Sequence, residues 1–144
     1  MRNITEDGLR LIRRFEGFSA VQYLCPAGYL TVGYGHVVKN PAAFRQPITE
    51  DEAVRILSAD VETSERAVLR LISVPLTDGQ FDALVSFTFN LGAGALQRST
   101  LRRKVNREEH EDVPAEFLRW IWAGGKKLNG LIRRRQAEAA LYQS

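Results

Sequence analysis

Cysteine is nearly absent from this chain. The single one, Cys25, excludes an internal disulfide and any zinc site built from several cysteines. Histidine is almost as scarce: with only His36 and His110, a catalytic metal would need an unusual ligand set, and neither metal nor cofactor is expected. No apolar run approaches the ~20 residues that a membrane-spanning helix needs. Near the start, Arg2, Arg10, Arg13 and Arg14 are scattered among Leu9, Leu11 and Ile12. That pattern lacks the basic start, apolar middle and small-residue cleavage site of a secretory signal. The expectation is a chain that folds in the cytoplasm without stable membrane insertion. Repeats and low-complexity tracts are missing as well.

What is present is ordinary globular composition. The 144 residues, 44% hydrophobic and 26% charged, suffice for one domain with a real core. The net charge of +3 conceals an asymmetry. From Gln97 to Arg135 the chain carries eleven Lys/Arg against five Asp/Glu, and elsewhere nine against twelve. A basic half suits an anionic polymer without choosing among nucleic acid, lipid and cell wall. No nucleic-acid-binding motif accompanies it.

Periodicity supplies the outline. Leu9, Ile12 and Phe15 recur at helical spacing, so a first helix is predicted from Thr5 to Phe15, with Glu16 at its end before Gly17. From Ser19 to Val38, the strand formers Tyr23, Tyr29, Val32, Tyr34 and Val37 alternate with Pro26, Gly28, Gly33 and Gly35, which reads as a small, tightly turned β-hairpin sheet. Asn40, Pro41 and Pro47 bound a loop. Thr49 and Glu52 then form a capping box ahead of Val54, Leu57, Val61, Val68 and Leu71, a helix of about twenty residues. Thr77 and Gln80 repeat the signature before Phe81, Leu84, Val85, Phe87, Phe89 and Leu91, apolar nearly all round and therefore a buried helix. Gly92 and Gly94 are expected to break it, with shorter helices at Ser99–Asn106, Pro114–Trp122 and Leu131–Tyr142. The fold class expected is α+β, predominantly α, in a single domain 1–144. It comprises a β-containing lobe over about 17–48, a connecting helix over about 49–72 and a helical lobe over about 73–144. Helix 5–16 packs near a cleft between the lobes, a natural place to hold a polymer.

The informative residues are Phe15-Glu16-Gly17, then Cys25, then Tyr29-Leu30-Thr31-Val32-Gly33-Tyr34-Gly35-His36. Here the sequence resembles the phage lysozymes of glycoside hydrolase family 24, whose active-site signature is Glu, eight residues, Asp or Cys, five residues, Thr. Glu16, Cys25 and Thr31 match that spacing. The resemblance continues through Phe87-Thr88-Phe89-Asn90-Leu91-Gly92, Ser99-Thr100-Leu101-Arg102 and Gly130-Leu131-Ile132-Arg133-Arg134-Arg135, in the family's order. It implies a lysozyme-like fold and hydrolysis of the β-1,4 bond between N-acetylmuramic acid and N-acetylglucosamine in peptidoglycan.

Glycoside cleavage takes an acid to protonate the departing oxygen and a second group to handle the oxocarbenium-like transition state or the attacking water. The resemblance makes Glu16 the acid, where the spacing alone would leave a solvated glutamate at a helix end. Cys25 read alone is a small buried hydrophobe. At the motif position it has two routes: a thiolate that takes a proton from water, giving inversion, or one that attacks the anomeric carbon, giving retention. The resemblance favours the first, shared with Thr31, which by itself is an ordinary strand residue. Leu30, Phe89 and Asn90 carry over as positions against the sugar chain. Asn90 is suited to hydrogen-bond an N-acetyl group, whereas Phe89 reads equally as core. His36 corresponds to a structural histidine paired with an acid. Arg134 is the best match to an arginine that supports the catalytic glutamate, with Arg133 and Arg135 competing.

The resemblance also implies a monomeric endolysin, held in the host cytoplasm until a holin permeabilises the inner membrane and then acting on the cell wall. Two alternatives stand beside it. A lytic transglycosylase would need only the acid and would give an anhydro product; a non-catalytic cell-wall or anionic-polymer binder would not depend on Glu16.

Overall fold

The first helix of the computed structural model, which describes residues 1–144, is α1, Glu6–Glu16. Glu6 and Asp7 in its first turn and Arg13 and Arg14 in its last complement the helix dipole. It starts one residue later than the apolar pattern suggests, because Asp82 holds Thr5 outside it. The Thr5 backbone N–H donates to Asp82 Oδ1 at 3.0 Å, and the Thr5 hydroxyl pairs with Oδ2. At the other end Gly17, at φ +74°, donates its N–H to the Arg13 carbonyl and stops the helix just after Glu16.

The chain divides into two units, Ile12–Glu62 and Met1–Leu11 with Thr63–Ser144, both boundaries falling inside helices. In the first, β1 (Ser19–Leu24), β2 (Leu30–Gly33) and β3 (His36–Val37) form an antiparallel sheet in the order β1-β2-β3. Tyr23 faces Thr31, Leu24 faces Leu30 and Val32 faces His36 across it. The loop expected after Asn40 contains a 3-10 turn, Pro41–Phe44, whose first free amide, Ala42 N–H, is capped by Asn40 Oδ1 at 3.2 Å. Helix α2, Glu50–Leu71, begins at the Thr49/Glu52 capping box: Glu52 N–H donates to Thr49 Oγ1 at 3.1 Å and Thr49 N–H to Glu52 Oε1 at 3.4 Å. Ile12, Val32, Tyr34, Val38, Ile48, Ala53, Leu57 and Val61 are the buried apolar residues of this unit.

The second unit is helical. Helix α3, Asp78–Leu91, opens at a capping box in which Gln80 N–H donates to Thr77 Oγ1 and Thr77 N–H to Gln80 Oε1. Every residue from Phe81 to Thr88 is buried, and each large apolar side chain so buried contributes ~1.5–3 kcal/mol. Around it lie α4 (Ala93–Arg98), α5 (Thr100–Asn106), α6 (Val113–Phe117) and α7 (Asn129–Tyr142). Helix α7 packs on α3 and α6, and Phe117 and Trp120 meet the Phe87 ring edge-on.

Three expectations are corrected here. Gly92, at φ +93°, does end α3, but Gly94 breaks nothing: it lies within α4. The helix expected over Pro114–Trp122 stops at Phe117. The chain beyond is not helical throughout, since β4 (Trp122–Ala123) pairs with β5 (Lys126–Lys127) around Gly124 and Gly125, both at positive φ. Two glycines in that conformation make the tight turn whose twist matches an antiparallel pair. Helix α7 begins at Asn129, two residues before the predicted start.

Candidate active site

The end of α1 places Glu16, half-buried, against the loop between β2 and β3. A Cβ at Gly35 would stand 2.8 Å from Glu16 Oε1, and Gly35 has φ +80°. Only glycine satisfies both the backbone and the carboxyl at that point. Read as sequence, Gly35 is turn punctuation; its approach to the acid is a tertiary fact.

The turn from β1 to β2 builds the surroundings of Cys25. Cys25 N–H donates to the Tyr29 carbonyl at 2.9 Å and Gly28 N–H to the Cys25 carbonyl at 2.8 Å, with Gly28 at φ +89°. The thiol is thereby brought against backbone amides. A hydrogen bond from Tyr29, with smaller ones from Ala27, Gly28 and the Thr31 side chain, pulls its pKa below the usual thiol value against an opposing desolvation effect. Thr31 is buried on β2, and its hydroxyl donates to the Tyr29 carbonyl at 2.9 Å. Cys25 in the turn and Thr31 on the strand that follows it therefore both donate to the Tyr29 carbonyl. Leu30 is half-buried at the start of β2, facing Leu24 across the sheet. His36 Nδ1 meets Asp60 Oδ2 at 2.8 Å, and the imidazole packs edge-on against Phe44.

Phe89 and Asn90 lie in the helical unit, half-buried near the end of α3. Arg134 is buried on α7; its Nε lies 3.3 Å from Glu138 Oε2 and its Nη2 donates to the Ser86 carbonyl at 3.3 Å. Arg133 is exposed. Arg135, the competing arginine, joins this cluster, and Glu138 completes it from outside the sequence-derived set. Glu138 is fully buried, with Ser86 Oγ donating to its Oε2 at 2.6 Å, and the equally buried Arg135 brings Nε within 2.9 Å of Oε1. Desolvation pushes the Glu138 carboxyl up, opposed by Arg135 and Arg134. The sequence signal for Glu138 was its spacing, three and four residues after the two arginines.

One carboxyl, Glu16, thus sits at a helix end against the Gly35 turn, and Cys25 and Thr31 both contact the Tyr29 backbone. Glycoside hydrolysis calls for a carboxylic acid together with a second group that handles the attacking water or the oxocarbenium-like centre. Comparison with known proteins agrees. The family model for phage lysozyme matches residues 13–138, and the chain belongs to the phage lysozyme family. It is a glycoside hydrolase with the lysozyme-like fold of that family. It is 41% identical over 146 residues to the endolysin of Acyrthosiphon pisum secondary endosymbiont phage 1, covering 99% of each chain. With the endolysin of Bacillus phage B103 it shares 40% identity over 142 residues, 97% of this chain but only 54% of that longer protein. The structure of a mutant lysozyme from phage P22 superposes with a TM-score of 0.90 at 34% identity, covering all of both chains.

Proposed function

We propose that this protein is a muramidase endolysin that hydrolyses the β-1,4 bond between N-acetylmuramic acid and N-acetylglucosamine in peptidoglycan, lysing the host cell once a holin gives it access to the wall. Glu16 protonates the departing oxygen. Cys25 and Thr31 position and deprotonate the attacking water, so that the anomeric configuration inverts. Leu30, Phe89 and Asn90 contact the sugars; His36 holds the sheet against α2 through Asp60, and Arg134 supports the acid. The observation that carries this reading is the setting of Cys25, where backbone amides and the Thr31 hydroxyl favour the thiolate, the form able to accept a proton from water.

The test is clearing of purified peptidoglycan by wild type, Glu16→Gln and Cys25→Ser, with folding checked by circular dichroism. Wild type should clear, and Glu16→Gln should lose at least ~100-fold, the usual scale of a lost general acid. Clearing by Glu16→Gln at the wild-type rate overturns the assignment of the acid. NMR of the first product should show the α anomer; a β anomer means retention and removes the water-activating role of Cys25. A product lighter by one water identifies a transglycosylase instead.

A further inference from the structure

We propose that the β4–β5 hairpin docks this protein on an anionic phospholipid surface, with Trp122 at headgroup depth and Lys126 and Lys127 against the lipid phosphates. The inference does not depend on the roles given to Glu16 and Cys25. Three pairings build the hairpin: Leu128 N–H donates to the Ile121 carbonyl at 3.1 Å, Trp122 faces Lys127, and Ala123 faces Lys126. Side chains alternate across such a pair, so Trp122 and Lys127 share one face while Lys126 and Leu128 share the other. Both faces are in solvent. Every residue from Trp122 to Gly130 is exposed, Trp122 at 57% and Leu128 at 43%. The Trp122 ring is met by the Lys127 ammonium, 5.3 Å from its centroid.

Charge along this stretch has one sign. No Asp or Glu occurs between Glu116 and Glu138, and Lys126, Lys127 and Arg133 are exposed within that span. Tryptophan beside lysine, on an element clear of the core, is the combination that a lipid interface favours. The ring settles among the headgroups and the ammonium groups meet anionic heads. A neutral glycan would use the ring and leave the lysines idle. A nucleic acid would call on arginine forks, but Arg119 is tied to Glu116 at 3.1 Å, Arg98 lies over the Trp120 ring at 5.7 Å, and Arg134 and Arg135 are buried. No helix is long and apolar enough to cross a membrane, so the contact is peripheral.

Co-sedimentation of the full chain with vesicles tests this, using phosphatidylglycerol mixed equally with phosphatidylcholine against phosphatidylcholine alone. Wild type should sediment with the anionic vesicles and be released by salt. Lys126→Gln and Lys127→Gln should each weaken binding about fivefold, the scale of one lysine near an anionic surface. Trp122→Ala should weaken it at least as much and abolish the blue shift of tryptophan emission that the vesicles cause in wild type. Because the two lysines are exposed, their variants should match wild type in Tm and in clearing of membrane-free peptidoglycan. That readout separates failure here from failure of the catalytic assignment. Folded wild type that does not sediment with anionic vesicles overturns the proposal. So does equal binding to phosphatidylcholine alone, or anionic binding that all three substitutions leave unchanged. Retention on purified peptidoglycan that the substitutions abolish, with vesicles unbound, makes the hairpin a wall contact and also overturns it.

Discussion

A thiol next to three backbone amides is a different reagent from a thiol in an apolar core. Because the hydrogen bonds from Tyr29, Ala27, Gly28 and Thr31 favour ionisation, Cys25 should alkylate with iodoacetamide at neutral pH faster than free cysteine, its rate rising through a pKa below that of an ordinary thiol. Thr31→Val removes one of those contributions and should move the profile upward; a profile at or above that of free cysteine would refute the assignment. Gly35 gives a second residue-scale prediction. Gly35→Ala places a Cβ against Glu16 Oε1 in a backbone conformation that L residues avoid. The left-handed conformation alone costs ~1–2 kcal/mol. Activity should fall further than stability, measured as clearing rate and Tm on the same preparation, because the displaced group is the acid itself. Nothing in the sequence around Gly35 announces this approach: a glycine between two aromatic rings of a turn looks the same whether or not a carboxyl rests on it.

At the scale of elements, the capping boxes were legible because their logic is local. Thr77 and Gln80 satisfy each other's backbone amides within a single turn, so spacing suffices to find them. Thr77→Ala should destabilise by ~1 kcal/mol, a Tm loss of about 2–4 °C for a chain of this size, with clearing activity unaffected at room temperature. An unchanged Tm would mean that α3 is held by its buried residues alone. Helix α4 escaped because Gly94 read as a breaker, and the β4–β5 hairpin escaped as well. Two strands of two residues carry no periodicity, and Trp120, Ile121 and Trp122 prolong the apolar pattern of α6 past its true end. The signal that was available lay in Gly124-Gly125, a pair that favours the turn of a tight hairpin. It was outweighed by an apolar run that continued a helix.

Across the whole molecule, acid groups buried on folding set the response to pH. Asp82, 1% exposed, has its carboxyl pushed up by burial, against the pull of its contacts with Thr5. The sign follows from proton counting. Between the unfolded value near ~4 and the raised folded value, the folded state binds more protons, so stability falls as pH rises through that window. Subtracting the Tm–pH profile of Asp82→Asn, which keeps an acceptor for Thr5, from that of wild type should expose a descending difference in that window. A flat difference would show that the folded and unfolded carboxyls titrate alike.

The sequence by itself determined the long helices, two capping boxes, the three-stranded sheet and the family resemblance, because each depends on spacing along the chain: 3.6 residues for a helix face, three for a capping box, eight and five for the motif of Glu16, Cys25 and Thr31. Only the tertiary structure decided that Gly35 lies under the Glu16 carboxyl, that the Cys25 thiol meets the amides of its own turn, and that Arg135 and Glu138 stand behind Asn90. These are contacts between side chains and backbone groups brought together by packing. Arg133, Arg134 and Arg135 are chemically identical in the sequence. Their positions around one helix leave the first exposed and bury the other two, and burial is what turns a charge from a solvated surface group into part of a site.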